Sequence, residues 1–150
     1  MSVKVFVDTN VLVYARDATE PDKQRACHGW LAALWDRRAG YLSFQVLQEY
    51  YVTVTRKLSP GLDPHTARDD VRALLAWQPL TTTEQVLEIA WAVQDRYRLS
   101  WWDSLIVAAA QAGRCRYLLT EDLHTGQDIE GVTILSPFEA DPEICLIAPQ

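Results

Sequence analysis

The sequence has few of the features that mark secreted or membrane proteins. It contains only three cysteines, and Cys27, Cys115 and Cys145 lie far apart without a C-x-x-C pair. Such cysteines favour neither a disulfide framework nor a zinc site, so we expect a reducing, cytoplasmic location. The amino-terminal apolar stretch is interrupted by Asp8. It is therefore too short for a signal sequence or a membrane span.

A basic excess is also lacking. Lysine and arginine number 14 against 20 acidic residues, which gives a formal net charge of −6. Proteins that coat nucleic acids usually rely on a basic surface, so this balance disfavours that role. It does not exclude a nuclease, because carboxylates gathered to hold cations contribute to the same negative charge.

Strand and helix patterns alternate along the 150 residues, of which 49% are hydrophobic. This size predicts a single domain over residues 1–150, with 139–150 as a loosely organised C-terminal tail. The predicted strands are 3–7, 41–43, 77–80, 117–120 and 132–135, and the predicted helices are 20–39, 44–58, a segment that opens at 63, 82–97 and 104–112. The last of these helices is apolar nearly all round and should be the most buried. The alternation predicts an α/β sandwich around a mainly parallel sheet.

Acidic residues follow two of the predicted strands. In parallel sheets, sites form beyond the carboxyl ends of the strands. Asp8 occupies this position after the first strand, between two apolar runs that are unfavourable surroundings for a charge. Asp122 follows the strand at 117–120, with Glu121 as a rival for the same role. The alternative interpretations are an N-cap for Asp8 and an ordinary loop carboxylate for Asp122.

Two further carboxylates lie on predicted helices. Asp103 lies in the first turn of the apolar helix, where the helix dipole and free backbone N–H groups favour a carboxylate. Capping alone would explain it, but burial there also favours a metal or a basic partner. Glu49 lies nearly opposite the apolar stripe of its helix, so periodicity alone favours a solvated position.

If these carboxylates converge, they need a cation. Two of them about 4 Å apart repel by roughly 4 kcal/mol at an effective dielectric near 20. All the candidate ligands are oxygens, which favours Mg²⁺ or Mn²⁺ over zinc. Such a site suits phosphoryl chemistry.

Four segments resemble the motifs of PIN-domain nucleases in order and spacing. They are Val7-Asp-Thr-Asn-Val11, Glu49 after a short strand, Trp102-Asp-Ser-Leu-Ile106 followed by alanines, and Leu119-Thr-Glu-Asp122. More narrowly, the whole chain resembles the VapC-type toxins of type II toxin–antitoxin pairs. One departure is Leu123-His-Thr-Gly126, which stands where many members carry an aspartate–phenylalanine pair.

The resemblance implies a three-layer α/β/α fold and cleavage of single-stranded or looped RNA through Mg²⁺ or Mn²⁺. Under it, the metal ligands are Asp8, Glu49, Asp103 and Asp122, and the residues that orient them are Thr9, Asn10, Ser104 and Thr120. A metal-activated water would be the nucleophile, without a covalent intermediate. The resemblance also implies a homodimer and a small antitoxin that blocks the acidic pocket with a basic residue.

Two other functions fit part of the pattern. A non-catalytic PIN-like module that binds RNA or protein would use the same carboxylates only as helix caps. A phosphatase with a strand-end aspartate nucleophile would place Asp8 correctly, but Asn10 stands where such enzymes usually carry a second aspartate.

Overall fold

A computed structural model describes residues 3–147, in which strands and helices alternate. The strands are β1 (Val5–Val7), β2 (Gly40–Tyr41), β3 (Tyr117–Leu119), β4 (Asp128–Ile129) and β5 (Val132–Leu135). The helices are α1 (Thr9–Tyr14), α2 (Pro21–Arg37), α3 (Phe44–Val52), α4 (Pro64–Leu74), α5 (Glu84–Tyr97), α6 (Trp101–Ala112) and α7 (Pro142–Cys145). A π-helical segment (Thr53–Lys57) continues α3, and a 3₁₀ turn (Leu75–Trp77) follows α4. Within residues 3–147, no helix is both long enough and apolar enough to span a bilayer.

The five strands form one sheet in the order β2-β1-β3-β5-β4. The first four of these are parallel, and β4 pairs antiparallel with β5. The prediction of a mainly parallel α/β sheet is therefore confirmed. The sequence pattern did not reveal β4, which is a two-residue strand joined to β5 by a tight turn. The turn residues Glu130 and Gly131 have φ of 52° and 89°, as a two-residue hairpin requires.

The strand order reverses direction at β1. The chain passes from β1 to β2 on one side and then returns to β3 on the other side of β1. Because parallel crossovers are right-handed, these two connections place their helices on opposite faces of the sheet. In agreement, α2 packs beside β2, whereas α6 packs on β3 and β5 and is covered by α5. A crevice therefore opens at the carboxyl ends of β1 and β3, where sites form in such sheets.

Helix α6 is the central buried helix, as the sequence predicts. All residues from Ser104 to Ala110 are buried. Ser100 caps its amino terminus by accepting a hydrogen bond from the Asp103 backbone N–H, and Gly113 ends it. The buried face of α6 therefore fixes the position of its first turn relative to β3.

The predicted strand at 77–80 is wrong in extent. Trp77 belongs to the 3₁₀ turn, and its indole ring lies against Gly40 and 5.1 Å from the ring of Trp35. Gln78 has a φ of 53°, which turns the chain away from an extended path. Only Leu80 reaches the sheet, through an isolated parallel bridge to Ser43.

The segment from residue 139 contains α7 and packs on α2. The buried Trp30 donates a hydrogen bond from Nε1 to the Ala140 carbonyl over 3.1 Å. Arg37 forms an ion pair with Glu143, and Leu146 is buried. Residues 139–147 are therefore attached to the domain more firmly than their composition indicates. The rest of the predicted tail, 148–150, lies outside the described residues.

A polar cluster joins the end of α1 to α3 and α4. The buried Tyr50 donates its hydroxyl hydrogen to Asp70 Oδ2. Arg16 binds the same carboxylate through two hydrogen bonds of 2.9 and 2.6 Å. These bonds connect α3 to the two helices beside it.

Replacing Asp70 by alanine should therefore destabilise the fold. The variant leaves the buried Tyr50 hydroxyl without a partner and releases Arg16, which should cost about 1–3 kcal/mol of unfolding free energy in a urea titration. Asp69 is a matched control, because it pairs with Arg72 on the exposed surface of the same helix. Asp69→Ala should change stability by less than about 0.5 kcal/mol. Equal losses in both variants would contradict a structural role for the cluster.

Candidate active site

The four acidic residues singled out in the sequence come from four different elements. Asp8 joins β1 to α1, and Asp122 lies three residues beyond the end of β3. Glu49 is on α3, and Asp103 is in the first turn of α6. The sheet topology brings the first two together, since β1 and β3 are adjacent and parallel.

Asp8 is buried, with a relative exposure of 6%. One carboxylate oxygen accepts a hydrogen bond from the Thr9 backbone N–H at 2.7 Å, so Asp8 does cap α1. The other oxygen accepts one from the Thr120 hydroxyl at 2.8 Å. The Asp8 carboxylate therefore caps α1 and at the same time bonds to the residue that follows β3. The capping interpretation and the functional interpretation of Asp8 are therefore not alternatives.

Asn10 connects the ends of the two strands. Its Nδ2 lies 3.0 Å from Thr120 Oγ1, 3.2 Å from Asp122 Oδ2 and 3.4 Å from Asp8 Oδ2. Its Oδ1 accepts a hydrogen bond from the Glu121 backbone N–H. An aspartate at this position could not donate to the neighbouring carboxylates. The amide therefore serves to hold two acidic side chains side by side.

Glu49 is bound to the first residue of α1, which directly follows Asp8. Its Oε2 accepts a hydrogen bond from the Thr9 hydroxyl at 3.0 Å, and its Oε1 accepts one from Gln45 Nε2 at 2.8 Å. The side chain is half-buried, although periodicity favours solvent. The reason is that α1 packs against α3 and covers a face that the apolar stripe does not mark. The sequence analysis did not identify Gln45, but its i, i+4 spacing to Glu49 could have revealed it.

Glu121 and Asp122 point to different surroundings. Asp122 is bound to Asn10. Glu121 lies beside Tyr14, where its hydrogen bond, together with burial and its negative charge, raises the pKa of the phenol. Lys23 Nζ donates a hydrogen bond to the same phenol oxygen over 3.4 Å. The structure thus places Asp122 with the acidic cluster and Glu121 outside it.

The cluster carries negative charge that the protein leaves uncompensated. Burial, together with the charges of Asp122 and Glu49, raises the pKa of Asp8 to about 7. Burial also raises the pKa of Asp103, again with a contribution from Asp122 and Glu49. The charges of Asp122 and Glu49 therefore act on both Asp8 and Asp103. Within residues 3–147, none of the four forms an ion pair with a basic side chain.

This donor set suits a hard divalent cation, although the carboxylates are not yet gathered around one point. In the described part of the chain, no three His, Cys, Asp or Glu side chains lie close enough together to hold a metal ion. The candidate donors are all oxygens, which Mg²⁺ and Mn²⁺ prefer. Ser104, next to Asp103, adds a buried hydroxyl that has no hydrogen-bond partner among the described residues. The chemistry of the residues therefore fits a cation, and holding it requires the carboxylates to move closer.

A groove of about 810 Å³ extends from Glu49 along the surface. It runs between the start of α3 and the start of α6 and is lined by Phe44, Gln45, Gln48, Glu49, Thr81, Thr82, Trp102 and Leu105. Trp102 is 62% exposed, and Phe44 is 43% exposed. The acidic cluster is thus bordered by an open groove with apolar walls.

The burial of Asp8 should make the metal-free protein less stable as the pH rises. The folded pKa, about 7, lies above the ordinary value of 3.8, so the folded state binds the proton more tightly than the unfolded state. Unfolding free energy should then fall through this pH window, by up to about 1.4 kcal/mol per unit. Asp8→Asn removes this contribution and should become more stable relative to the wild type at higher pH. Urea titrations in chelator at several pH values measure the difference.

The exposed Asp36→Asn variant is the control for losing one negative charge elsewhere on the surface. Parallel stability profiles for the wild type and Asp8→Asn would show that Asp8 is not held in an unfavourable charged state.

Comparison with known proteins identifies the family. A family model described as PIN domain matches residues 5–125. A chain in a solved toxin-antitoxin complex from Klebsiella pneumoniae is similar in fold, with a TM-score of 0.66 and 21% identity, over 91% of this chain and 100% of that one. No curated protein sequence matches the chain. Because the family model covers most of the chain and includes the acidic cluster, this protein belongs to the PIN domain family.

Proposed function

We propose that this protein is a divalent-metal-dependent endoribonuclease and the toxin of a toxin–antitoxin pair. PIN domains are generally nucleases. The observation that carries the proposal is the uncompensated cluster of Asp8, Glu49, Asp103 and Asp122, two of which have raised pKa values. A group of carboxylates that repel one another is destabilising unless a cation binds, so the arrangement favours a function that uses one.

The four carboxylates would hold Mg²⁺ or Mn²⁺. When bound, the cation supplies positive charge that holds the scissile phosphate and makes a water more acidic. The rest of the site positions the ligands. Thr120 and the Thr9 backbone N–H fix the two oxygens of Asp8. Asn10 orients Asp122, and the Thr9 hydroxyl orients Glu49.

Ser104 completes the set of proposed orienting residues. Its hydroxyl is buried next to Asp103 in the sequence and has no hydrogen-bond partner among the described residues. A carboxylate that moves toward a cation could accept this hydrogen bond. The hydroxyl would then recover the free energy lost by its burial without a partner. No nucleophilic side chain is needed, so hydrolysis proceeds by direct attack of water on phosphorus.

The partners follow from the same surfaces. The structural neighbour comes from a toxin-antitoxin complex, and an acidic pocket of this kind is suited to a basic residue of an antitoxin. The exposed apolar side chains of Trp102 and Phe44 beside the cluster support a homodimer, because exposed aromatic patches commonly mark protein interfaces. Three cysteines without a disulfide are compatible with the proposed cytoplasmic location.

Cleavage of RNA tests the proposal directly. Purified protein free of antitoxin should cut a mixed set of structured and single-stranded RNAs with Mn²⁺ or Mg²⁺ and not with chelator. Asp8→Asn and Asp103→Asn should lower the rate by more than the roughly 10- to 100-fold typical for a residue that only orients a ligand. Asp122→Asn should also lose activity.

Glu121→Gln is the matched control, since Glu121 neighbours Asp122 but faces Tyr14. It should keep its activity. Fragments that persist in Asp8→Asn would indicate a contaminating nuclease and would count against the proposed site.

The alternative is a non-catalytic PIN-like module that binds RNA or protein. Metal-dependent stability distinguishes the two. A metal at about 100 times its Kd should add roughly 2.7 kcal/mol, which raises the melting temperature of a chain of this size by about 5–10 °C. Asp8→Asn should abolish the shift, and Glu121→Gln should keep it. The absence of any shift in the wild type would favour the module.

A further inference from the structure

The helix that carries Glu49 changes its winding four residues later. Residues Thr53–Lys57 form a π-helical segment that continues α3. Such segments are rare and often lie at functional sites. In a regular α-helix, Lys57 would point about 80° away from the direction of Glu49, because eight residues make two turns and a fraction. A π-helical turn contains more residues, so each residue rotates the chain through a smaller angle about the helix axis. The Lys57 side chain therefore lies closer to the helix face that carries Glu49.

Lys57 and Glu49 consequently line one pocket. The pocket has a volume of about 390 Å³, and its walls are Thr9, Gln48, Glu49, Val52, Thr53 and Lys57. Thr9 also donates a hydrogen bond to Glu49, so this pocket borders the acidic cluster on the side of Glu49. Arg56 belongs to the same π-helical segment but does not line the pocket.

Lys57 supplies a positive charge that the fold itself does not use. Its side chain is exposed, and within residues 3–147 it forms no ion pair. The other charged group in the pocket is Glu49. A lysine that shares a pocket with Glu49 without pairing with it is available to bind an anion. A phosphate held there would lie next to one held by a cation at the carboxylates.

We infer that Lys57 is a positioning residue that binds a backbone phosphate of the RNA next to the phosphate that is cut. This inference rests on the proposed function. An RNA strand brings several negative charges to a chain with a net charge of −6. A cation at the carboxylates offsets the repulsion at one phosphate only. A second positive group along the strand keeps the neighbouring phosphate from being repelled by Glu49 and fixes the direction in which the strand crosses the site.

The test is binding of a fluorescent single-stranded RNA of mixed sequence, measured by anisotropy in chelator. The Asp8→Asn background prevents cleavage by residual metal. Because no variant in this background holds a cation at the carboxylates, a difference between variants reports the contact made by residue 57. Adding Lys57→Gln should weaken binding roughly three- to tenfold and should lower the salt dependence of log Kd by about 0.7, as expected for one lost contact to a single strand. Salt is varied from about 50 to 200 mM.

Arg56→Gln in the same background is the matched control, because it removes one positive charge from the adjacent position outside the pocket. It should change the affinity by less than about twofold. With Asp8 intact, Lys57→Gln should raise KM for RNA with kcat nearly unchanged. Lys57→Arg should restore most of the affinity. The metal-dependent melting shift should be the same in Lys57→Gln as in the wild type.

Three results would overturn the inference. The first is equal binding and equal salt dependence with and without Lys57→Gln. The second is an equal loss from Lys57→Gln and Arg56→Gln, which would show a general charge effect. In both cases, metal-dependent cleavage by the wild type would leave the proposed function intact. The third result is a wild type that neither cuts RNA nor is stabilised by metal, which would reject the proposed function together with the inference.

Discussion

The burial of the Asp8 carboxylate is the constraint on which the site depends. A carboxylate with 6% exposure at the end of a strand is costly unless its oxygens are bonded. Here the backbone N–H of Thr9 and the hydroxyl of Thr120 provide those bonds. The first makes Asp8 the cap of α1, and the second connects it to β3. The same two bonds that lower the cost of burial also fix the direction in which the carboxylate points.

The sheet supplies the rest of the arrangement. Because β1 lies between β2 and β3 in a parallel sheet, the chain connections lead to opposite sides of this strand and leave a crevice at its carboxyl end. Asn10 then bonds across the crevice to Asp122, and the buried face of α6 sets the depth of Asp103. Each acidic residue is thus held by a different element. The packing of the domain therefore holds these carboxylates near one another despite their repulsion.

The fold and half of the cluster could be predicted from sequence for simple physical reasons. Asp8 and Asp122 follow strands of recognisable pattern, and parallel strands must end at one edge. Glu49 could not be placed by periodicity, which detects the face that meets the core and not the face that α1 covers. The hairpin of β4 could not be predicted because two residues carry too little pattern. The Trp77 ring in the 3₁₀ turn packs on Gly40, a contact distant in sequence that local patterns do not reveal.

The charge distribution also explains how an acidic protein could act on a polyanion. A site built only from carboxylates would repel every phosphate of an RNA strand. In the proposed function, a cation would reverse this repulsion at one phosphate, which would select where cleavage occurs but would leave the strand free to rotate about that phosphate. The π turn after α3 places Lys57 in a pocket shared with Glu49. The cation and Lys57 would then hold two neighbouring phosphates, which would fix the direction of the RNA strand. A local change in the winding of one helix can therefore orient the RNA strand at a site whose net negative charge opposes its binding.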